Sequence, residues 1–533
     1  MFKLFGKKEV DKKVDSSIKE ETLFKINRIE KLPVLPDFPN KEKIDIQYPL
    51  IEPYASVHIH WDPKEGDVIY EVIEPRLDDR EKEVLKILEN GVKEFINVSF
   101  ISIKKGEAVI EYLERNIKTL LKELGLKISN DTFLKIMYYV YRDFVGMNEI
   151  EPLLCDYFIE DIECNGIKSP VYIVHRKYRN LRSNITFNEF PYLISFVEKL
   201  AQKAGRYVSY SNPILDGSLP DGSRVNATYT TDISSKGPTF TLRKFTKEPW
   251  SPVKMIDMRT VSPEILAYLW ILIEHEFNVM VIGGTGSGKT TFLNGLAFFI
   301  PPQARIVSIE DTRELNLEHE NWLPSVAREG IGLANIVGQK YGEVTLFDLL
   351  KESFRQRPDY VIVGEIRGQE AFVLFQGMSS GHPSMGTMHA NDVESMIKRL
   401  ESPPINLSAT LVESLDVVCV IGHAKVNNVD VRRIKMIQEI ISVGESGQAQ
   451  INIPFKWDVN TDTFFFKTDS YTFKKLTEEF GFGKERLLEE FQLRTKLLVA
   501  MYKAKIFDYK QVQTVINEYA RNPKKVLKQF GVI

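Results

Sequence analysis

One stretch of the chain carries residues that cradle phosphate groups. Residues 283–290 have the sequence GGTGSGKT, which matches the pattern G-x-x-x-x-G-K-[ST] between an apolar run and a helical segment. Glycines permit backbone angles that turn N–H groups towards an anion, and the helix expected to begin near Lys289 adds its positive end. Lys289 would contact the β- and γ-phosphates, while the Thr290 hydroxyl would bind Mg²⁺. The motif predicts a site for ATP and Mg²⁺ formed by Gly283, Gly284, Thr285, Gly286, Ser287, Gly288, Lys289, Thr290 and Thr291.

Two acidic residues follow apolar, strand-like runs further along the chain. Glu310 follows RIVSI, and Glu365 follows YVIVG. Ligands of open α/β sheets bind beyond the carboxyl ends of the strands, so both carboxylates should project towards the phosphate loop. Hydrolysis of a phosphoanhydride needs a Mg²⁺ ligand and a group that orients or deprotonates water, and these two residues are the candidates. The alternative is that both are acids of surface loops.

Glu365 takes the position of a Walker-B acid, with one difference. Gly364 replaces the Asp that usually precedes it. We therefore expect Glu365 to coordinate Mg²⁺ through a water molecule rather than directly.

Two histidines occur among small residues in the segment SSGHPSMGTMHAND. His382 and His389 are too few to form a zinc site. On spacing alone, packed or solvated histidines are the more common interpretation. Close to a nucleotide, the alternative is that they sense the γ-phosphate.

The elements that would position these residues alternate regularly in the second half of the chain. Short apolar strands alternate with helical segments there, at 278–282, 305–309, 360–364 and 416–421. This order predicts a mostly parallel sheet covered by helices. Before it, helical and strand-like patterns mix, and Asp-Gly turns predict a hairpin at 214–230.

These patterns divide the chain into four segments. We predict a basic, flexible N-terminal segment over 1–52 and an α/β domain over 53–244. A linker rich in basic residues and proline follows over 245–255, and a nucleotide-binding α/β domain with C-terminal helices occupies 256–533. Dense lysines and three prolines make a solvated tail the first interpretation of 1–52. A helix that docks on a partner or on an anionic lipid surface is the alternative.

Composition excludes several classes of protein. The 533 residues are 43% hydrophobic and 27% charged, which is typical of a globular chain. With 70 Lys and Arg against 73 Asp and Glu, the net charge of −3 provides no basic field for nucleic acid. The apolar run 265–273 is shorter than the roughly 20 residues of a membrane-spanning helix. Three cysteines cannot build a disulfide framework, so a reducing, cytoplasmic setting is expected.

Four boxes in a fixed order resemble the type II/type IV secretion ATPase superfamily. They are IGGTGSGKTTFLN, then IEDTREL with HENWLPSVAREG, then RPDYVIVGEIRGQEA, and then GHPSMGTMHA. IEDIECNG and PDGSRVNATY are similar to the amino-terminal domain of that superfamily. The resemblance covers roughly residues 85–500 and is strongest to the archaeal branch that powers the archaellum and related pili. The three cysteines cannot form the four-cysteine zinc insertion of many bacterial members, which agrees with this branch.

The resemblance implies an architecture and assigns roles to matching residues. It implies an N-terminal α/β domain, a flexible linker and a RecA-like motor domain, with six subunits in a ring. Glu310 matches the water-activating acid and Glu365 the Walker-B glutamate. His389, with His382 beside it, matches the histidine box that monitors the phosphate.

Two further residues would act from the N-terminal domain. Arg224 in GSRVN and Arg243 in LRKF match arginines that reach the nucleotide phosphates when the domains close. An arginine supplied in this way raises phosphoryl-transfer rates by about 10³–10⁵.

The implied activity is ATP hydrolysis that drives domain motion at the cytoplasmic face of a membrane. The expected partners are five further copies of the chain, a polytopic membrane platform protein and accessory cytoplasmic motor components. Archaellum assembly or rotation is the first hypothesis, and archaeal pilus assembly or secretion is the alternative. A nucleic-acid translocase would need basic loops lining a pore, and none is evident. A scaffold that binds ATP without hydrolysing it is disfavoured by the two acids at strand ends.

Overall fold

The computed structural model divides the chain into two compact units, Met1–Lys244 and Phe245–Ile533. It describes residues 23–28, 33, 35–36, 40–99, 106–245, 248–328, 330, 340–426, 429–444, 448–479, 481 and 483–533. Residues 1–22 of the basic N-terminal segment lie outside the described residues. The docking helix considered there as the alternative to a solvated tail therefore stays a prediction.

The described part of the first unit forms one ten-stranded sheet. Its strands are β1 Asn27–Arg28, β2 Asp45–Glu52, β3 Ala55–Asp62, β4 Asp67–Ile73, β5 Ile159–Cys164, β6 Pro170–His175, β7 Arg179–Thr186, β8 Ile214–Ser218, β9 Arg224–Thr228 and β10 Thr239–Arg243. They lie in the order β1-β2-β3-β4-β7-β6-β5-β10-β9-β8, and only the short β4–β7 pairing is parallel among these described strands. The predicted hairpin at 214–230 is β8 paired with β9.

Helices cover this sheet because each presents an apolar stripe to it. They are α1 Asp79–Ser99, α2 Gly106–Glu123, α3 Asn130–Val140, α4 Glu151–Cys155 and α5 Phe190–Lys203. In α5, Leu193, Phe196, Val197 and Leu200 recur at helical spacing and are all buried. Ser129 begins α3 by accepting a hydrogen bond from the Thr132 N–H.

The boundary predicted at residue 53 is wrong. Residues 45–52, expected in the flexible segment, form strand β2, which pairs with β1 and β3. Ile44, Tyr48 and Leu50 are buried and lie at alternating positions, which is the period of a half-buried strand. The lysine and proline content of the preceding residues obscured that short apolar alternation.

The second unit contains the mostly parallel sheet predicted from its strand–helix rhythm. Its described strands are β11 Val279–Ile282, β12 Ile306–Glu310, β13 Trp322–Val326, β14 Tyr360–Ile366, β15 Ser384–Met388, β16 Val417–Val426, β17 Val429–Val443, β18 Ala449–Asp458 and β19 Thr463–Phe466. They lie in the order β13-β12-β14-β15-β11-β16-β17-β18-β19. The first six are parallel and the last three add antiparallel pairings. The predicted α/β class is therefore confirmed.

Helices pack on this second sheet. They are α6 Pro252–Asp257, α7 Pro263–Glu274, α8 Lys289–Leu296, α9 Leu346–Ser353, α10 Glu370–Ser379, α11 Val393–Glu401, α12 Ala409–Val412, α13 Tyr471–Glu479, α14 Lys484–Lys503, α15 Tyr509–Arg521 and α16 Pro523–Gln529. The apolar run 265–273 is the buried middle of α7. In the described part of the chain, no helix combines the length and apolarity that a bilayer-spanning helix requires.

The end of the predicted linker 245–255 is folded. Ser251 begins helix α6, because its hydroxyl accepts a hydrogen bond from the Lys254 N–H and donates one to the Phe507 carbonyl. Val253 and Met255 are buried in the core of the second unit. Proline directly after a capping serine starts a helix, although the same residues have the composition of a hinge.

Candidate active site

The phosphate loop joins the buried strand β11 to helix α8. Strand β11 lies between β15 and β16, so the loop emerges at the carboxyl end of three parallel strands. Gly286 and Gly288 have φ of 68° and 93°, a left-handed region that favours glycine. Helix α8 begins at Lys289, as predicted, and Phe292, Leu293 and Leu296 bury its inner face.

The start of the loop is fixed against strand β16. A Cβ added at Gly283 would lie 2.2 Å from the Ile421 carbonyl oxygen, so only glycine fits there. Within the loop, the Gly284 carbonyl accepts hydrogen bonds from the Ser287 hydroxyl at 2.8 Å and from the Lys289 ammonium at 2.9 Å. Gly284 itself is exposed, with nothing within 4 Å of an added Cβ. Hydrogen bonds within the loop therefore fix its shape, while Gly284 remains exposed.

Glu310 ends strand β12 as a deeply buried carboxylate. Its Oε1 accepts hydrogen bonds from the Glu314 and Leu315 N–H groups, both at 2.9 Å. Its Oε2 is also buried, without a hydrogen-bond partner among the described residues. Burial raises the pKa of Glu310 to about 7, although the two N–H donors oppose this shift. A carboxyl with a pKa near neutrality and one uncommitted oxygen is suited to accept a proton from water.

Gly364, the unusual residue before Glu365, makes room for Glu310. A Cβ at position 364 would lie 2.9 Å from Cγ of Glu310. The glycine that departs from the common Walker-B pattern is therefore explained by packing between neighbouring strands β12 and β14.

Glu365, His389 and Lys289 form a chain of contacts across the ends of three elements. Nε2 of His389 lies 2.7 Å from Oε1 of Glu365, and its Nδ1 lies 3.3 Å from Nζ of Lys289. Burial, with the positive charge of Lys289, lowers the pKa of His389. The neutral ring can then accept a hydrogen bond from Lys289 at Nδ1, while its Nε2 stays in close contact with the Glu365 carboxylate.

Residues that the motifs did not single out complete this edge of the sheet. Arg367 forms an ion pair with Glu365 and lies 3.8 Å from Asp311. An added Cβ at Gly286 would lie 3.7 Å from Nε2 of His423, and one at Gly288 would lie 3.5 Å from Cδ of Arg432. Arg367 lies two residues after Glu365, and that spacing from a motif acid is a sequence signal for it. His423 and Arg432 are opposite each other on β16 and β17, and only the strand register brings them to the loop.

His382 is not beside His389, which corrects the sequence-based expectation. His382 precedes strand β15 and His389 follows it, so the two lie at opposite ends of the strand. The His382 ring packs edge-on against Phe354, with the centroids 4.9 Å apart. Only His389 is at the end of the sheet where the phosphate loop lies, so the contacts of His382 are those of a packed histidine.

Arg224 and Arg243 are direct cross-strand partners in the first unit. They are opposite each other in the β9–β10 pairing, and Arg243 is also opposite Asp161 of β5. Asp216 accepts hydrogen bonds from the Arg224 guanidinium at 3.0 and 3.3 Å. Like charges directly opposite each other disfavour the pairing, and the ion pair of Arg224 with Asp216 offsets part of this repulsion.

The residues of the phosphate loop fit the phosphates of a nucleoside triphosphate. Two left-handed glycines and one that excludes any Cβ shape the loop, and a lysine stands at the first turn of the following helix. Thr290 and Glu365 provide oxygen atoms, the donors that Mg²⁺ prefers. The arrangement can grip a triphosphate and place a base, Glu310, near the same strand ends.

Comparison with known proteins gives consistent family relationships. A family model described as Type II/IV secretion system protein matches residues 145–439. The uncharacterised protein MJ0900 of Methanocaldococcus jannaschii is 36% identical over 516 residues, which cover 90% of this chain and 91% of that protein. MJ1287 of the same organism is 41% identical over 48% of this chain and 92% of its own length. VirB11 of Agrobacterium fabrum is 31% identical over 40% of this chain and 69% of its own length.

Solved structures with related chains were also found. The ATPase DotB of Legionella pneumophila aligns over 68% of this chain and 92% of its own, with 15% identity and a TM-score of 0.39. The pilus retraction motor PilT aligns over 68% of this chain and 92% of its own, with 17% identity and a TM-score of 0.38.

Proposed function

The chain belongs to the type II/IV secretion system protein family, and on that basis we propose that it is an Mg²⁺-dependent ATPase that performs mechanical work. The observation that carries this proposal is the phosphate loop 283–291 at the carboxyl ends of parallel strands, with two glutamates on neighbouring strands. A loop alone would support nucleotide binding. The buried, proton-accepting Glu310 at the carboxyl end of β12, in the same sheet, favours hydrolysis.

The lysine and threonine of the phosphate loop and the two glutamates each have a role in the proposed reaction. Lys289 contacts the terminal phosphates in place of the Gly284 carbonyl. Glu310 takes a proton from the attacking water at Oε2, while the Glu314 and Leu315 N–H groups hold its other oxygen. Thr290 and Glu365 would hold Mg²⁺, which neutralises phosphate charge when bound.

His389 couples the phosphates to the acid. While Lys289 contacts a phosphate, its ammonium no longer donates to Nδ1 of His389, and the ring loses one of its two polar contacts. The ring remains joined to Glu365 through Nε2. We therefore assign His389 to monitoring the terminal phosphate. His382 has no part in this assignment.

Arg224 and Arg243 are proposed to carry the coupling between the two units. They supply positive charge to the phosphates in a closed arrangement, and loss of the γ-phosphate removes their partner and releases that arrangement. The order of the family's motifs along the chain supports a hexameric ring in which this cycle repeats. The ring would act at the cytoplasmic face of the membrane, with a polytopic platform protein and accessory motor components as partners.

Archaellum assembly or rotation is our first choice for the work performed. The support is the resemblance of the four sequence boxes to the archaellum branch, together with the alignment of the archaeal relative MJ0900, itself uncharacterised, over 90% of this chain. The family model, and relatives with conjugal-transfer names that align over less than half of the chain, support secretion or pilus assembly as the second candidate. A nucleic-acid translocase is disfavoured by the net charge of −3.

Measurement of ATP turnover tests the proposed activity. Lys289→Ala should reduce Mg²⁺-dependent hydrolysis at least about 100-fold, because the phosphates lose their point charge. Lys398→Ala, which removes an exposed lysine from α11, is the matched control and should hydrolyse ATP like the wild type. Turnover by Lys289→Ala close to that of the control would reject the site.

A second experiment separates the candidate outputs. Turnover is measured with vesicles that contain archaellum platform protein, with vesicles that contain a pilus platform protein, and with DNA. Stimulation by the first alone supports the archaellum assignment. Stimulation by the second supports pilus assembly, and stimulation by DNA that falls steeply with salt supports a translocase.

A further inference from the structure

We propose that the N-terminal unit binds one Zn²⁺ ion through His58, His60 and Glu71, on the face of strands β3 and β4. Among the described residues, these three form the one group of His, Cys, Asp and Glu side chains whose ligand atoms lie within 4.8 Å of one another. The site belongs to the first unit, whereas the phosphate loop belongs to the second, and its argument does not depend on ATP hydrolysis.

The strand register brings the three side chains to one face. His58 and His60 are two residues apart on β3, so they point to the same side of the sheet. His58 is directly opposite Glu71 of the antiparallel strand β4. Its Nδ1 lies 3.9 Å from Oε2 of Glu71, while ligands of a tetrahedral zinc ion lie about 3.3 Å apart when each is about 2.0–2.1 Å from the metal. Small side-chain rotations would close this difference.

The two histidine rings lie close enough to share one ion. They stack with centroids 4.3 Å apart and planes 25° apart, so their in-plane nitrogen lone pairs run nearly parallel, and one ring must rotate for both nitrogens to point at the same ion. Nδ1 of His60 is buried and has no hydrogen-bond partner among the described residues. A buried, unpaired imidazole nitrogen costs free energy unless an ion, water or proton satisfies it.

Asp45 on strand β2 supplies the outer contact that metal-bound histidines commonly have. Its Oδ1 lies 2.6 Å from Nε2 of His58, on the opposite side of the ring from Glu71. An Nε2–H that donates to this carboxylate leaves Nδ1 as the metal ligand and fixes the orientation of the ring. Asp45 is therefore a positioning residue.

The donor set determines which cation fits. Two imidazoles and one carboxylate match Zn²⁺ and related transition metals, whereas Mg²⁺ and Ca²⁺ prefer oxygen donors. A water molecule would complete four-coordination. The bound ion would join strands β3 and β4 and stabilise their pairing.

Titration of the full-length, nucleotide-free protein with Co²⁺ tests the proposal. We expect one Co²⁺ per chain with the visible absorption of a four-coordinate nitrogen and oxygen site, displaced by Zn²⁺ but not by Mg²⁺. The double variant His58→Ala/His60→Ala should lose this spectrum. Asp45→Asn should keep the spectrum but weaken affinity about 10- to 100-fold. His319→Gln, which removes a histidine from the second unit, is the matched control and should bind like the wild type.

Three outcomes would overturn the site. They are a spectrum of thiolate coordination, an unchanged spectrum in the double variant, and no spectrum at 1 mM Co²⁺. Zn²⁺ should also raise the thermal midpoint of the wild type and of Glu310→Gln, but not that of Glu71→Gln. Circular dichroism of each variant without metal identifies any that do not fold, and the Glu71→Gln comparison then decides. Because these readouts need no nucleotide, they stand apart from the test of ATP hydrolysis.

Discussion

Nζ of Lys289 in the phosphate loop lies 3.3 Å from Nδ1 of His389, at the end of strand β15. The other nitrogen of the same ring lies 2.7 Å from Glu365 at the end of β14. Burial lowers the pKa of His389, which favours the neutral ring and lets Nδ1 accept a hydrogen bond from Lys289. One imidazole thus connects the lysine proposed to contact the phosphates with the glutamate proposed to hold Mg²⁺.

Replacement of His389 should slow turnover more than it weakens binding. We expect His389→Ala to lower kcat roughly tenfold or more with a small change in KM, because the link to Glu365 is lost while Lys289 and the loop remain. His382→Ala is the matched control, since that ring packs on Phe354 at the other end of β15. Steady-state ATPase assays decide. Equal losses in the two variants would contradict the role of His389.

Glu310 should limit turnover at acidic pH. Burial raises the pKa of Glu310 to about 7. About half of the side chains are therefore ionised near neutrality, and the ionised fraction, which is the form able to accept a proton, increases above that pH. We expect kcat to rise with pH from about 6 to 8, by up to tenfold per pH unit below the midpoint. The measurement is kcat at saturating ATP and Mg²⁺ across this range. A flat profile would show that Glu310 is not the base.

Glu310 should also reduce stability at alkaline pH. A carboxyl whose pKa rises from 4.5 to about 7 on folding binds its proton more tightly in the folded state, so stability falls as pH rises through this window. A change of one in pKa corresponds to about 1.4 kcal/mol, so the ionised Glu310 lowers the free energy of unfolding by about 3 kcal/mol above pH 7. Glu310→Gln should therefore raise the free energy of unfolding at pH 8 but not at pH 4, while turnover is lost. A stability gain that is equal at both pH values would contradict this.

Local patterns predicted the parts of this site that lie close together in sequence. The strand, glycine loop and helix from β11 to α8 follow from apolar spacing and from the loop motif, so Lys289 and Thr290 could be placed. Glu310 and Glu365 were expected at strand ends, because parallel strands present their carboxyl ends at one edge. The α/β class followed from the same rhythm.

Contacts that depend on tertiary register could not be predicted. Whether a histidine lies before or after strand β15 decides whether it reaches the loop, and spacing alone did not separate His382 from His389. Only the β3–β4 pairing reveals that His58 and Glu71 are opposite each other. The strand at 45–52 could not be recognised because the lysines and prolines that precede it are typical of a flexible segment, and its own apolar alternation is short.

The paired arginines should matter for turnover and not for stability. Arg224→Ala and Arg243→Ala are each expected to lower kcat at least about 100-fold if their guanidinium groups reach the phosphates. Arg182→Ala, which removes an exposed arginine paired with Glu65 in the same unit, should have no effect on turnover. ATP hydrolysis and thermal midpoints of the three variants are compared. Full activity in both Arg224→Ala and Arg243→Ala would assign the phosphate contacts to other residues.

Gly364 should tolerate no side chain, although many related motifs carry Asp there. A Cβ at this position would lie 2.9 Å from Cγ of Glu310, whose carboxylate is held by two N–H groups and cannot move freely. Gly364→Ala should therefore destabilise the protein by about 1–3 kcal/mol and displace the proposed base, which lowers kcat. Gly483→Ala, with nothing within 4 Å of its added Cβ, is the matched control; because Gly483 caps α14 it should lose at most about 1 kcal/mol, and its turnover should be unchanged. Denaturant unfolding measures the effect on stability, and ATPase assays measure the effect on kcat. A stable and fully active Gly364→Ala would contradict the assignment of Glu310 as the base.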